Sequence, residues 1–381
     1  MSKINAVKEY DNKLALYIHI PFCVSKCSYC NFCSFANKEN FFKDYLKALC
    51  LEITERAKEY KSMQITTIYI GGGTPSFLPL GSITKILDCI KQDFVLDKNL
   101  SVTVEGNPNS LTYDKLLELK NNNVDRISVG LQSTKPELLK ILNRSHSLKD
   151  FDNCINNAHK LGFKNINVDL IIGIPTQTLD DVKQTIKYVL EKNVQHISAY
   201  GLILEKGTSL FKKVKSGGLE LPDDDLCNEM YDFVNNELKK NGFHRYEISN
   251  FSKPGFESNH NLNYWHRGQY LGFGLDAYSF VGGAHWQNPN NLENYIHNPL
   301  KKIKKEVETI RTAKLETIML ALRLDEGLDI TKFNREFNAD FFEEYKDALN
   351  NLLKEKLVVI KNNHLIITNQ HISNSIIAEF A

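Results

Sequence analysis

The sequence predicts an α/β fold, a partial (β/α)6 barrel followed by a smaller C-terminal helical, winged-helix-like module. Three observations carry this. Short β-branched runs alternate with longer amphipathic segments six times over residues 14–201, the pattern of parallel strands joined by crossover helices. The unusual polar residues fall where each short run ends, which is where the loops of such a barrel carry chemistry. Beyond residue 299 the pattern changes to helices and then a hairpin.

Strands are expected at residues 14–20, 66–70, 101–105, 126–130, 165–172 and 196–201. Helices are expected at 41–60, 83–92, 113–121, 136–142, 148–161 and 178–192, where apolar residues recur at three- and four-residue spacing between polar flanks. A further helix follows Asp223 and runs to residue 240. The stretch 244–286 is rich in Gly, Asn and aromatics and reads as irregular structure. Residues 312–324, 330–337 and 340–355 read as helices, and 357–360 with 364–367 as a hairpin around Asn362 and Asn363. These elements divide the chain into a barrel (1–240), an irregular segment packed on it (241–298) and a C-terminal module (299–381).

A net charge of +1 gives no global electrostatic case for nucleic acid or for a membrane surface. The polar start MSKINAVKEYDNK lacks both a signal-peptide core and a transit pattern, and no apolar run is long enough to span a bilayer. A cytoplasmic protein, not membrane-integral and without a nucleic-acid partner, is expected. Its eight cysteines then read as reduced thiols, metal ligands or catalysts rather than disulfides.

Cys23, Cys27 and Cys30 stand at C-x3-C-x2-C in the loop after the first strand. Thiolates are the soft ligands that iron–sulfur clusters and zinc require. Zinc would need a fourth ligand, which Cys33 could supply, but zinc modules usually split their ligands into two separated pairs. A 4Fe-4S cluster with three protein ligands leaves one iron open to S-adenosylmethionine (SAM), which chelates through its amino and carboxylate groups. Buried reduced cysteines are the plain alternative, and they would be scattered rather than gathered in one loop.

The stretch YIHIPFCVSKCSYCNF, residues 17–32, resembles the radical SAM superfamily, in the branch that contains oxygen-independent coproporphyrinogen III oxidase. The resemblance implies the radical SAM barrel and a cluster on Cys23, Cys27 and Cys30. Gly71 to Pro75, GGGTP, follows the second strand. Glycines let a backbone approach a ligand closely with amides free for a polar head, although a tight strand-to-helix turn needs them too. By the resemblance, Gly72, Gly73 and Thr74 belong to the loop that binds the methionine amino group of SAM.

Glu105, Gln132, Arg144 and Asp169 lie at or just beyond strand ends, where an unpaired charge is costly unless it binds something. Each alone reads equally as a cap or an ion pair. Together they match the family's SAM positions, carboxylates for the amino and ribose hydroxyl groups and an arginine for the carboxylate. Tyr17 and Tyr29 would line the same cavity.

The resemblance continues through residues 196–208 and 246–265, and the second stretch discriminates. His260-Asn261-Leu262-Asn263-Tyr264-Trp265 matches the HNxxYW signature of the HemW-type haem chaperone branch. That match implies haem, with His260 as an axial ligand and Tyr264 and Trp265 as flat apolar faces. A turn-capping histidine among core aromatics is the bland alternative. Two departures weigh against the oxidases: Phe32 stands where they carry a fourth cysteine, with the extra thiol displaced to Cys33, and only 16 residues precede Tyr17.

A haem chaperone with a SAM-ligated 4Fe-4S cluster is therefore expected, with the oxidase as its main rival and a zinc-stabilised binding module as a third reading. The family implies haem or another tetrapyrrole as cargo, respiratory haem-protein clients at the inner membrane face, and room for a homodimer.

Overall fold

The structure, a computed structural model, describes residues 10–381. The first nine residues of the polar start lie outside the described residues. Six strands pair in parallel in chain order: β1 (Lys13–Ile20), β2 (Gln64–Gly72), β3 (Val95–Gly106), β4 (Arg126–Gln132), β5 (Asn165–Ile172) and β6 (His196–Gly201). Every expected strand lies within one of them.

The two faces of these strands differ in chemistry. Leu14, Leu16, Ile18, Ile68, Ile70, Val102, Val104, Ile127, Val129, Ile166, Val168, Ile197 and Ala199 are all buried in the main core. Successive strand residues point to opposite faces, so this set alternates with Tyr17 and His19, Thr67 and Tyr69, Thr103 and Glu105, Arg126 and Ser128, Asn167 and Asp169, and His196 and Ser198. Apolar residues thus pack outward under the helices, each Leu, Ile or Val contributing about 1.5–3 kcal/mol by burial. The inner face is polar. It forms a chamber able to hold charged groups rather than a filled apolar core.

The helices between strands fall where the spacing places them, for example Phe42–Ala57, Ser82–Asp93, Tyr113–Asn121 and Leu179–Leu190. Two begin with reciprocal capping boxes, Ser147 with Asp150 and Thr178 with Asp181. These satisfy amides that the first turn leaves unpaired.

The stretch read as irregular is not so. It contains β7 (His244–Glu247), β8 (Asn250–Ser252), a helix (Asn259–Trp265), β9 (Tyr270–Phe273), β10 (Tyr278–Val281) and β11 (Ala284–Gln287). With β12 (Ile303–Val307), the sheet runs β12-β11-β10-β9-β1-β2-β3-β4-β5-β6-β8-β7. β9 is parallel to β1, and β8 is antiparallel to β6. Runs of three or four residues are too short to show a period. They are strands because the open edges of β1 and β6 supply hydrogen-bond partners.

The C-terminal residues bury their own cluster, from Ala313 to Phe380. Helices Ile310–Ala321 and Ile330–Phe337 form as expected, and 340–355 breaks at Tyr345 into Phe341–Glu344 and Lys346–Lys354. Tyr345 instead packs its ring on Phe341 and Phe380. Val358–Lys361 and His364–Ile367 pair across Asn362 and Asn363, both with positive φ, and Leu328–Asp329 adds a third strand. Two left-handed residues suit a two-residue hairpin turn, and asparagine tolerates that conformation. The buried Arg267 joins this part to the barrel edge by pairing with both Glu308 and Glu316. Among the described residues, no helix is long and apolar enough to cross a membrane.

Candidate cofactor site

The loop after β1 is pinned at its neck and along its length. Phe22–Cys23 pairs with Phe35–Ala36, and Phe35 N donates to Pro21 O at 2.8 Å. Lys26 Nζ spans the loop to Phe32 O and Ser34 O at 3.0 and 3.1 Å. Ser28 N reaches Leu142 O, Leu210 N reaches Ser28 O, and Asn143 Nδ2 donates to Lys26 O at 2.9 Å. The backbone is thus held from three sides while Cys23, Cys27 and Cys30 remain free thiols, each partly exposed.

Polar groups surround those thiols. Thr74 Oγ1 donates to Cys23 Sγ at 3.6 Å, Arg144 Nη1 to Cys27 Sγ at 3.5 Å, and Cys30 Sγ lies 3.9 Å from Ser34 Oγ. Burial pushes the Cys23 thiol up, and the Thr74 hydrogen bond opposes that rise. Three unbridged thiols in one braced loop fit a three-ligand iron–sulfur cluster in donor chemistry. Cys33 turns away from them, its Sγ 3.8 Å from Asn290 O.

The GGGTP loop lies against this neck. A Cβ on Gly73 would stand 2.7 Å from Phe22 O and 3.0 Å from Cys23 Sγ, so only glycine fits beside the first thiol. Gly72 has φ +110°, and a Cβ there would meet the His19 ring at 2.6 Å. The expectation of free amides is corrected. Gly72 N donates to Glu105 Oε2 at 3.2 Å, Gly73 N to Ile20 O and Thr74 N to Phe22 O, both at 2.8 Å. The amides are spent inside the fold, and one of them fixes the Glu105 carboxylate beside the loop.

Glu105 also accepts from Tyr69 at 2.7 Å. Burial pushes its carboxyl up to about 7, against the Tyr69 hydrogen bond that holds it down, and Asp169 adds to the rise. Asp169 accepts from Ser128 Oγ at 2.9 Å and Asn167 Nδ2 at 2.8 Å. Arg144 Nη2 donates to Asn107 Oδ1 and Gly130 O, both at 2.6 Å. Gln132, at φ +70°, sits in the bulge between β4 and β5. Strained backbone of this kind collects at functional sites. Tyr17 donates to or accepts from His19 Nδ1 at 3.0 Å, and Tyr29 is held in a small apolar cluster with its hydroxyl raised by burial and by Cys27.

His260 lies in the helix Asn259–Trp265, which packs against β2. It is 3% exposed, its Nδ1 lies 2.8 Å from Thr67 Oγ1 and its Nε2 3.0 Å from Tyr264 Oη. Both nitrogens are engaged, and burial followed by Arg126 pushes the imidazole down to about 3. In this arrangement the His260 ring is neutral and both of its nitrogens have partners. Tyr264 and Trp265 are half-buried, and Trp265 leaves its Nε1 buried without a hydrogen-bond partner.

The sequence reading missed His19, Tyr69, Asn107 and Arg126. For Tyr69 and Arg126 the signal was present in TIYIGG and RISVGLQ, where polar residues alternate with apolar ones inside the expected strands. Such alternation marks a polar face.

Comparison with known proteins agrees with this geometry. Residues 17–189 match the Radical SAM superfamily, and residues 311–370 match the HemN C-terminal domain. The chain is 32% identical to the Heme chaperone HemW of Lactococcus lactis, over 96% of each chain. It is 33% identical to that of Bacillus subtilis, over 93% of this chain and 95% of the relative. The coproporphyrinogen III oxidase HemN from Escherichia coli, a radical SAM enzyme, superposes with a TM-score of 0.87 at 22% identity, over 99% of this chain and 92% of that one. That likeness shows a shared fold. Identity above 30% across nearly the full length places the chain in a narrower group: it belongs to the HemW family of radical SAM proteins.

Proposed function

We propose that this chain is a cytoplasmic haem chaperone that holds a SAM-ligated 4Fe-4S cluster on Cys23, Cys27 and Cys30. It binds haem and delivers it to respiratory haem proteins at the inner face of the membrane. The observation that carries this reading is the near full-length likeness to proteins named Heme chaperone HemW.

SAM bound at the cluster supplies one-electron radical chemistry on reduction. The chain's own residues hold it. Glu105 takes the amino group, Asp169 the ribose hydroxyls and Arg144 the carboxylate. Gly72, Gly73, Thr74 and Gln132 shape the walls, and Tyr17 and Tyr29 close the sides. Tyr264 and Trp265 remain the proposed contacts with the haem macrocycle; His260 is not among them, because both of its nitrogens are engaged. The reading includes no nucleic-acid partner and allows a homodimer.

The test is anaerobic turnover of reconstituted protein with SAM, reductant and coproporphyrinogen III. No decarboxylated porphyrin from protein with an intact cluster and bound SAM supports the chaperone. Steady conversion over many turnovers overturns it in favour of the oxidase.

A further inference from the structure

One run of contacts joins the HNxxYW segment to the site around the cluster. The His260 ring stacks on Tyr69 with centroids 5.0 Å apart and planes at 27°. Tyr69 donates to Glu105 Oε1 at 2.7 Å, and Glu105 Oε2 accepts from Gly72 N at 3.2 Å. His260 is itself fixed on its other sides by Thr67 and by Tyr264, whose ring meets it edge-on at 4.9 Å. Four side chains and one backbone amide thus form an unbroken series from helix Asn259–Trp265 to the end of β2.

We propose that Tyr69 and His260 are positioning residues for Glu105: the His260 ring braces Tyr69, and the Tyr69 hydroxyl aims the Glu105 carboxylate at the amino group of SAM. The proposal rests on the reading of Glu105 as the residue that takes that group. It assigns the histidine of the HNxxYW segment to the SAM side of the chamber rather than to haem iron.

The geometry favours this over a purely structural stack. A carboxylate with two acceptor oxygens can rotate, and binding a cationic head well requires that it not do so. Here one oxygen is taken by a backbone amide and the other by a phenol that cannot itself turn, because His260 lies against one face of its ring and Tyr17 stacks 6.3 Å away. A neutral imidazole is the form that can do this without placing a second cation beside the amine. The ionisable groups facing Glu105 are Tyr17 on β1, Tyr69 on β2, Arg126 on β4, Asp169 on β5 and Tyr200 on β6. Among the described residues, Tyr69 is the one of these whose side chain donates a hydrogen bond to the Glu105 carboxylate.

The test is equilibrium binding of SAM to the cluster-reconstituted protein across pH, by calorimetry, in wild type, Tyr69→Phe, His260→Ala, His260→Phe and Glu105→Gln. Tyr69→Phe keeps the ring and removes one hydroxyl, so folding and cluster content should be retained. Its SAM dissociation constant is expected to rise about tenfold. The pH below which binding fails should also move upward, because the ionised carboxylate has lost a donor. His260→Ala should weaken SAM binding in the same direction, and His260→Phe, which restores a ring against Tyr69, should recover part of the loss. Wild-type affinity and pH profile in Tyr69→Phe would overturn the positioning role while leaving Glu105 in place if Glu105→Gln alone loses SAM. Unchanged SAM binding in Glu105→Gln sinks the underlying reading of Glu105 itself. If His260→Ala alters the haem spectrum and leaves SAM affinity untouched, His260 belongs to haem and the proposal fails.

Discussion

Arg144 stands 3.5 Å from the sulfur of Cys27 and 2.6 Å from Asn107 Oδ1, so the residue after β4 and the loop after β3 are both tied to the cysteine loop after β1. The cysteines are therefore part of a site built from several strand ends, and their substitution should be felt there rather than in the fold.

Cys27→Ala is expected to abolish cluster assembly, read as iron and sulfide content after reconstitution. Cys33→Ala, whose thiol faces Asn290 O, should retain a full cluster. A full cluster in Cys27→Ala would remove that residue from the ligand set.

Gly73→Ala should destabilise the cluster loop although it adds one methyl group. The new Cβ would meet Phe22 O at 2.7 Å, Ile20 O at 2.9 Å and Cys23 Sγ at 3.0 Å, and the two nearest of these are backbone oxygens that a side-chain rotation cannot move. The protein should fold and lose iron faster than wild type under a chelator. Equal rates of loss would show that the neck has slack.

The Glu105 carboxyl, raised to about 7 in the fold, links stability to pH. A folded pKa above the unfolded one means that the stabilisation is fully present below the unfolded value near 4.3. It is lost as pH rises to about 7, and the loss amounts to about 3 kcal/mol. Glu105→Gln should flatten that window in SAM-free protein, measured as denaturant midpoints at several pH values. A wild-type slope in Glu105→Gln would place the titration elsewhere.

Arg267→Ala should cost about 3 kcal/mol or more, because it leaves Glu308, only 4% exposed, and Glu316 without their cation. Urea unfolding is the measurement. A loss below about 1 kcal/mol would show the pair to behave like a surface bridge.

The strands and helices of the barrel were legible in the sequence because each is long enough to show its own period. Residues 165–172 and 196–201 form strands with the expected bounds. The edge strands around β9 and β8 were not legible, since three or four residues carry no period and become strands only where an edge is offered. The candidate ligand loop was legible from cysteine spacing. The state of the GGGTP amides was not, because whether an amide is free depends on what folds back onto it.

By itself the sequence determined the α/β class, the order of its parallel strands, the candidate ligand loop and the family. Local periodicity and short-range spacing encode all of these within one segment at a time. Only the tertiary structure decided that the inner face is a polar chamber, that Tyr69 reaches Glu105 across 36 positions, and that His260 spends its nitrogens on Thr67 and Tyr264. Those facts depend on which strands become neighbours, and burial then forces every polar group to find its partner among residues distant in the chain.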